Sequence, residues 1–293
     1  MTDTISSSSK DLLPANALAG VRVGISVSDS PDLPSLGLLE IHFRLALGEI
    51  ARCVVVSGGT LSYAGRIDPS GYTAFLIKEL QRFHRRDRPL LVTLALPEHL
   101  GLTNHELKDC RKDLGLFGNL ECLDRHGDAV AIADEGRGAG GGPLDPVAAA
   151  QALTAMRTHV AKLCHARVFL GGRRTGYTGQ MPGLIEEVIL SLQCNKPLYL
   201  AGGFGGITLD IVKALGVDDA SWFPAMQRQA QDAGLTTALE QLSDAARRMN
   251  WKATNNGLTA EENRKLASTH RPSEIAALVS LGLGRRFCSG TKP

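Results

Sequence analysis

The chain has 293 residues, of which 43% are hydrophobic and 21% are charged, a balance typical of a globular protein with a sizeable core. Its 32 basic and 30 acidic residues leave a formal net charge of +2, which gives no electrostatic reason to expect nucleic acid or a membrane as a partner. The sequence has no apolar run of about 18 residues and no secretory signal, so we expect a cytoplasmic protein.

The predicted elements divide the chain into three parts. Residues 1–19 are rich in serine and threonine, which predicts a disordered tail. Between residues 20 and 220, short apolar runs alternate with segments of helical periodicity. From residue 221 to 293 the pattern is purely helical, and we expect this extension to pack on the same domain.

Seven strands and ten helices are predicted. The strands cover 21–28, 53–59, 89–96, 120–124, 129–134, 166–172 and 196–203. The helices cover 36–53, 71–84, 104–115, 145–164, 181–195, 205–216, 224–233, 236–249, 259–268 and 273–282. Strands that alternate with helices in this way predict an α/β fold, a Rossmann-like parallel sheet with helices on both faces.

Serine or glycine stands at the end of four predicted strands. These positions are Ser26 and Ser28, Gly58 and Gly59, Gly171 and Gly172, and Gly202 and Gly203. Ligands of open parallel sheets bind outside the carboxyl ends of the strands. We therefore expect these four strand ends to meet at one edge and to form a binding crevice.

The segment "FLGGRRTGYTGQMPGLIEEV", residues 169–188, carries the strongest binding signal. Arg173 and Arg174 follow paired glycines, and Gly183 opens a helix whose free N–H groups favour an anion. Glu186 and Glu187 lie about one turn into that helix, where a carboxylate repels phosphate but accepts hydrogen bonds from hydroxyl groups. A ribosyl phosphate or nucleotide offers a phosphate to the arginines and N–H groups and hydroxyl groups to the carboxylates. The alternative interpretation is an ordinary tight turn followed by acidic residues in the first helical turn.

Three further turns are weaker candidates for ligand contacts. Each of them fits either a ligand contact or a tight turn. They are the pair Gly202 and Gly203, the pair Gly58 and Gly59 together with Arg66, and the hydroxyl groups of Ser26 and Ser28.

Several other motifs are absent or lack their context. The chain has no G-x-x-x-x-G-K-[ST] and no G-x-S-x-G motif, and Gly136, Gly138 and Gly141 match G-x-G-x-x-G without a helix directly after them. The six cysteines form no C-x-x-C pair and the histidines have no metal-ligand spacing. We therefore expect reduced thiols, no metal and no cofactor.

Four stretches together resemble the SLOG superfamily. They are "ISVSDSPDLPSLGL", "VVSGGTLSYAGRIDPSGYT", "LGGRRTGYTGQMPGLIEEV" and "PLYLAGGFGG". The superfamily includes Lonely-guy phosphoribohydrolases, Smf/DprA proteins and nucleotide-sensor domains linked to TIR and Thoeris-type antiviral effectors. The resemblance covers roughly residues 21–284 and is closest to the sensor branch.

The resemblance implies a Rossmann-like fold with a pocket for nucleotide-derived ligands, which sensor members use to bind signals of the cyclic ADP-ribose type. Enzymatic members cleave an N-glycosidic bond with an arginine and a glutamate around a P-G-G-x-G-T-x-x-E motif. Here Pro182 and Gly183 precede Glu186 and Glu187, but the G-x-G-T portion is missing.

Two functions follow from these observations. The first is the sensing of an ADP-ribose-like ligand by a homo-oligomer that acts on an effector protein. The second is an N-ribohydrolase for nucleoside 5′-monophosphates, in which Glu186 is catalytic and Arg173 or Arg174 assists.

Overall fold

A computed structural model describes residues 15–83, 87–131, 144–224, 233–251 and 255–288. The strands are β1 (Arg22–Ser28), β2 (Thr60–Ala64), β3 (Leu90–Leu94), β4 (Gly118–Leu123), β5 (Ala129–Val130), β6 (Ala166–Gly171) and β7 (Leu198–Ala201). The helices are α1 (Glu40–Val56), α2 (Tyr72–Leu80), α3 (Leu96–Leu100), α4 (Asn104–Leu114), α5 (Pro146–Leu163), α6 (Gly183–Gln193), α7 (Gly206–Ala214), α8 (Ala233–Arg248), α9 (Ala260–Ser268) and α10 (Pro272–Phe287).

The strands form one sheet in the order β5-β4-β3-β2-β1-β6-β7. All neighbours are parallel except β4 and β5, which form an antiparallel edge. The predicted α/β fold with a Rossmann-like sheet is confirmed. From β1 inside the sheet the strands build outward to β5 at one edge, and β6 and β7 then follow on the other side of β1.

Helices cover both faces of this sheet. On one face, Val23, Ile25 and Val168 belong to a hydrophobic cluster that also includes residues of α1, α2, α4 and α10. The other face carries Phe169 and Leu200 against α6, α7 and α8, while α5 packs on the β1–β3 part of that face. The parallel strands are therefore buried on both faces, as expected when helices cross between them.

Local capping explains where two helices begin. Asp145 accepts hydrogen bonds from the N–H groups of Val147 and Ala148, both at 3.0 Å, and Pro146 occupies the first position of α5. Thr259 and Glu262 form a capping box at the start of α9. Both starts match the boundaries predicted from the sequence.

The predicted strand at 53–59 is wrong. Residues 53–56 are the last turn of α1, and β2 begins only at Thr60. Val54 and Val55 are buried, so tertiary packing overrides the β preference of the valine run. Gly58 and Gly59 therefore precede a strand and lie at its amino end, opposite the edge where we expected them.

The two ends of the described chain meet at that same amino edge. The N–H of Leu18 donates to the carbonyl of Ser57 at 2.7 Å, and the Cys288 thiol lies 3.1 Å from the carbonyl oxygen of Ala17. Leu18 is completely buried, so the ordered fold includes residues assigned by the sequence to the tail.

The described C-terminal helices pack against the sheet and against the helices that cover it. Helix α10 lies along α1, α8 lies on α6 and α7, and α9 contacts β7. The predicted helix at 224–233 and the glycines at 136, 138 and 141 lie mostly or wholly outside the described residues.

We expect Leu18→Ala to lower the free energy of unfolding by about 2–4 kcal/mol, because it removes a fully buried side chain. Leu116→Ala is the control, since Leu116 is half exposed and should change stability by no more than about 0.5 kcal/mol. Urea unfolding of both variants measures the difference. Equal losses would show that residue 18 does not belong to the core.

Candidate functional site

The order of strands creates a crevice between β1 and β6. These strands are neighbours, but the helices that follow them, α1 and α6, lie on opposite faces of the sheet. Their loops must therefore separate at the carboxyl edge, which is where ligands of open α/β sheets bind. The N–H of Gly172 donates to the carbonyl of Ser28 at 3.0 Å and closes the floor of this crevice.

An ion pair spans the crevice. Asp29, directly after β1, accepts hydrogen bonds from the Arg173 guanidinium and from the Tyr72 hydroxyl, the latter at 2.7 Å. Burial acts to raise the pKa of Asp29, but the hydrogen bonds from Arg173 and Tyr72 outweigh it, so the pKa is lowered. Both Asp29 and Arg173 remain exposed to solvent. The crevice thus presents a carboxylate and a guanidinium side by side.

Arg174 points away from solvent and clamps three segments together. Its Nη1 and Nη2 donate to the two carboxylate oxygens of Asp32 at 2.7 and 2.9 Å, and its Nε donates to Asp210 at 2.6 Å. Asp32 is fully buried and also accepts the N–H of Gly206 at 2.7 Å. Although burial favours the neutral form, the hydrogen bonds to both carboxylates raise the pKa of Arg174. The donors of Arg174 hold these loops together, and contact of Arg174 with a phosphate stays a prediction.

Glu186 and Glu187 are buried and paired inside the protein. Glu186 accepts hydrogen bonds from Arg157 and from the Thr154 hydroxyl, and Glu187 accepts one from Arg167 at 2.6 Å. Each carboxylate is engaged by an arginine, and contact of either one with ribose hydroxyls at the rim stays a prediction that requires these hydrogen bonds to be exchanged. Glu186 is thus paired with Arg157, whereas Arg173 and Arg174 form their hydrogen bonds with other acidic residues.

These buried arginines still carry donors that have no hydrogen-bond partner among the described residues, although Arg157 Nε lies 3.8 Å from a carboxylate oxygen of Glu187. They are Nε of Arg157 and both Nε and Nη1 of Arg167, and the hydroxyl of Ser26 on β1 is also unpaired. Buried donors in proteins nearly always meet an acceptor. The layer beneath α6 is therefore rich in donors that suit acceptor oxygens.

The loop that joins β6 to α6 keeps its backbone donors unused. Within the described residues, no N–H of 173–181 donates to a backbone carbonyl, and Pro182 supplies no side-chain cap to α6. Ile185 and Glu186 donate to the Pro182 carbonyl, which leaves the N–H groups of Gly183 and Leu184 at the open helix end. Such donors favour an anion.

A family model described as SLOG cluster2 matches residues 17–266 of the chain. The chain belongs to this SLOG family. No curated protein and no solved structure matches the chain.

The glycines of this SLOG protein serve close packing. Gly171 has a φ of +63°, and a Cβ there would lie 2.4 Å from the Ser28 carbonyl oxygen. A Cβ on Gly203 would lie 1.8 Å from the carbonyl oxygen of Thr269. The backbone at Gly171 and Gly203 therefore faces protein, which favours the tight-turn interpretation of both pairs.

The remaining sequence candidates are only partly brought together. Ser28, Gly172, Arg173 and Gly183 lie around the crevice, while Arg66 follows β2, one strand away, and pairs with Glu98 at 3.0 Å. Gly58 and Gly59 lie at the opposite edge.

Sequence reasoning missed Asp29, Tyr72 and Arg157. Arg157 had a detectable signal, because it lies on the buried face of α5 between Leu153 and Val160, where an arginine needs a partner. Asp29 and Tyr72 had no such signal, because their contact joins the end of β1 to the start of α2, 43 positions away along the chain.

Among the described residues, no group of three or more histidine, cysteine, aspartate or glutamate side chains is arranged to hold a metal ion. None of the helices there is long and apolar enough to cross a membrane.

We expect Arg174→Gln to lower the free energy of unfolding by about 2–4 kcal/mol, because it leaves the fully buried Asp32 without its cation. Arg173→Gln is the matched control, since its exposed pair with Asp29 should contribute no more than about 1 kcal/mol. Chemical denaturation of the two variants measures both values. A similar cost for the two neighbouring arginines would contradict the assignment of Arg174 as the clamp.

Proposed function

We propose that this SLOG protein binds a nucleotide-derived ligand, of the ADP-ribose or ribosyl phosphate class, in the crevice between β1 and β6. The observation that supports this most is the exposed pair of Arg173 and Asp29 beside a loop with unused N–H groups. A cation and amide donors suit phosphate, and a carboxylate suits hydroxyl groups.

The phosphate end of the ligand fits the start of α6. The N–H groups of Gly183 and Leu184 point out of the helix end, and Arg173 lies in the loop that leads to it. Glu186 does not oppose an anion there, because its charge is matched by Arg157. The guanidinium of Arg157 lies against the helix start, since a Cβ on Gly183 would be 2.7 Å from its Nη2.

The ribose end fits Asp29. Its pKa is lowered, so it is ionised at neutral pH and accepts hydrogen bonds from a diol. Contact with the ligand exchanges the Asp29–Arg173 pair for two new pairs, with phosphate on Arg173 and hydroxyls on Asp29. Since the original pair is exposed, its loss costs little free energy.

Sensing requires binding without turnover. In that role the ligand orders the loop 173–181 and shifts the population of a second conformation or assembly. We therefore propose a non-catalytic protein of the sensor type.

An enzyme is the second candidate function, because a glutamate, Glu186, lies in the first turn of α6 with an arginine beside it. A carboxylate next to a sugar stabilises an oxocarbenium-like centre and activates water during glycosidic cleavage. Glu186 must first leave Arg157 to act in this way, which favours binding over catalysis.

We expect ADP-ribose, AMP and ribose 5-phosphate to raise the melting temperature and to give heat in calorimetric titration, while adenosine binds more weakly because it has no phosphate. Arg173→Gln should raise the dissociation constant about tenfold or more by removing a charge-assisted hydrogen bond. Arg247→Gln is the control, since Arg247 also forms an exposed pair with an aspartate, on α8. An unchanged affinity in Arg173→Gln, or equal losses in both variants, would refute this site.

We expect no free base after incubation with nucleoside 5′-monophosphates, as followed by liquid chromatography. Release of base that disappears in Glu186→Gln would instead establish the N-ribohydrolase. Glu187→Gln is the matched comparison, because its carboxylate is equally buried but pairs with Arg167.

A further inference from the structure

The two partners of Asp29 differ in how firmly they hold its carboxylate. Oδ1 of Asp29 accepts a hydrogen bond from the Tyr72 hydroxyl at 2.7 Å, and Oδ2 accepts one from Arg173. The side chain of Arg173 is 64% exposed, so water and ligands reach it. Tyr72 lies partly buried at the start of α2. It is therefore the firmer of the two partners.

A cation and an aromatic ring hold Tyr72 in place. The guanidinium of Arg44 lies over the Tyr72 ring, 5.3 Å from its centroid, and the ring of Phe43 meets it edge-on at 6.0 Å. Both kinds of contact favour a defined orientation of the ring. Phe43 is completely buried, so its contact ties Tyr72 to the core.

Arg44 is itself fixed by several contacts. Its Nε donates to Glu40 and its Nη2 donates to the carbonyl of Ser70, both at 2.7 Å. Its guanidinium also lies 5.6 Å from the centroid of the Phe75 ring. The hydroxyl of Tyr72 therefore approaches the crevice from a fixed position.

We infer that Tyr72 is a positioning residue, which orients the carboxylate of Asp29 toward the 2′ and 3′ hydroxyls of the ligand and so makes the crevice select ribonucleotides over 2′-deoxyribonucleotides. This inference rests on the proposed function, in which the ribose contacts Asp29. A carboxylate accepts hydrogen bonds through both oxygens, and Tyr72 occupies only one lone pair of Oδ1. An analogue without the 2′ hydroxyl leaves an acceptor unpaired, which is a strong source of discrimination.

The electrostatics around Asp29 suit this role. Burial acts to raise the pKa of Asp29, but the hydrogen bonds from Arg173 and Tyr72 and the charges of Arg173 and Arg44 lower it below its ordinary value. Burial and the hydrogen bond to Asp29 raise the pKa of Tyr72 well above its ordinary range. At neutral pH the carboxylate is therefore an acceptor and the tyrosine a donor.

Calorimetric titration with AMP and 2′-deoxy-AMP tests the selectivity. The wild type should bind AMP at least about tenfold more tightly, because hydrogen bonds to a charged acceptor are among the stronger ones. Asp29→Asn and Tyr72→Phe should each reduce this preference to about threefold or less. Phenylalanine keeps the aromatic ring, so a loss in Tyr72→Phe belongs to the hydroxyl and not to stacking of the base.

Tyr199→Phe is the matched control. The Tyr199 hydroxyl also donates a hydrogen bond of 2.7 Å, but its acceptor is the carbonyl of Asn256. This variant should keep the full preference for AMP, whatever its change in stability. Urea unfolding measures that change for both tyrosine variants, and circular dichroism checks that both fold.

A measurement without ligand tests the positioning itself. Nuclear magnetic resonance of ¹³C-labelled carboxylates gives the pKa of Asp29, which should rise in Tyr72→Phe because a donor to the charged form is removed. The same pKa should stay unchanged in Tyr199→Phe. In the wild type, the preference for AMP should persist on acidification until Asp29 is protonated. The ratio of the two affinities cancels the titration of the phosphate, which both ligands carry.

Two results would overturn the inference. The first is an equal affinity of the wild type for AMP and 2′-deoxy-AMP. The second is a Tyr72→Phe variant that keeps either the full preference for AMP or the pKa of Asp29. Both can occur while AMP binds, so they leave the proposed function intact. Failure of every nucleotide to bind the wild type would instead refute the proposed function, and the selectivity with it.

Discussion

The contact of Arg174 with Asp32 and Asp210 determines the shape of the carboxyl edge. A single guanidinium joins the loop after β1, the loop after β6 and the first turns of α7. The sheet alone would not hold these loops, because their strands send the chain to opposite faces. Burial raises the pKa of Asp210 although Arg174 donates to it, which indicates how strongly this contact is shielded from water. The neighbouring Arg173 is left at the surface as a result.

The acidic residues beneath the crevice are also paired inside the protein. Two glutamates in the first turns of α6 would oppose an anion at the helix start if their charges were uncompensated. Arg157 and Arg167 match those charges from α5 and β6. The mixed composition of the segment from Phe169 to Val188 therefore has a physical explanation: one cation faces outward, and each acidic group has an internal partner. This arrangement agrees with nucleotide-related ligands of the SLOG family.

Most of the fold could be predicted from periodicity and caps, because those signals are local. The start of α5 at Asp145 and Pro146 and the start of α9 at Thr259 follow from a few adjacent residues. The valine run at the end of α1 misled the prediction, because both helix and strand bury such residues and only the sheet neighbours decide between them.

The candidate site was less predictable, since its chemistry comes from distant pairs. Glu186 and Arg157 are 29 positions apart, and Arg173 and Asp29 are 144 apart. Sequence reasoning found the loop and its cations but could not tell which arginine is exposed. That distinction depends on Asp32, whose importance is not visible until the loops are folded together.

The meeting of residues 17 and 288 at the amino edge has a practical consequence for engineering. A short connection between these positions would close the described chain into a ring without crossing the sheet. New termini could then be opened on a surface turn, which would give a circularly permuted protein. Fluorophores placed at such new ends beside Asp29 and Arg173 would report occupancy of the crevice directly, whereas dyes attached near residues 17 or 288 would lie on the far side of the sheet.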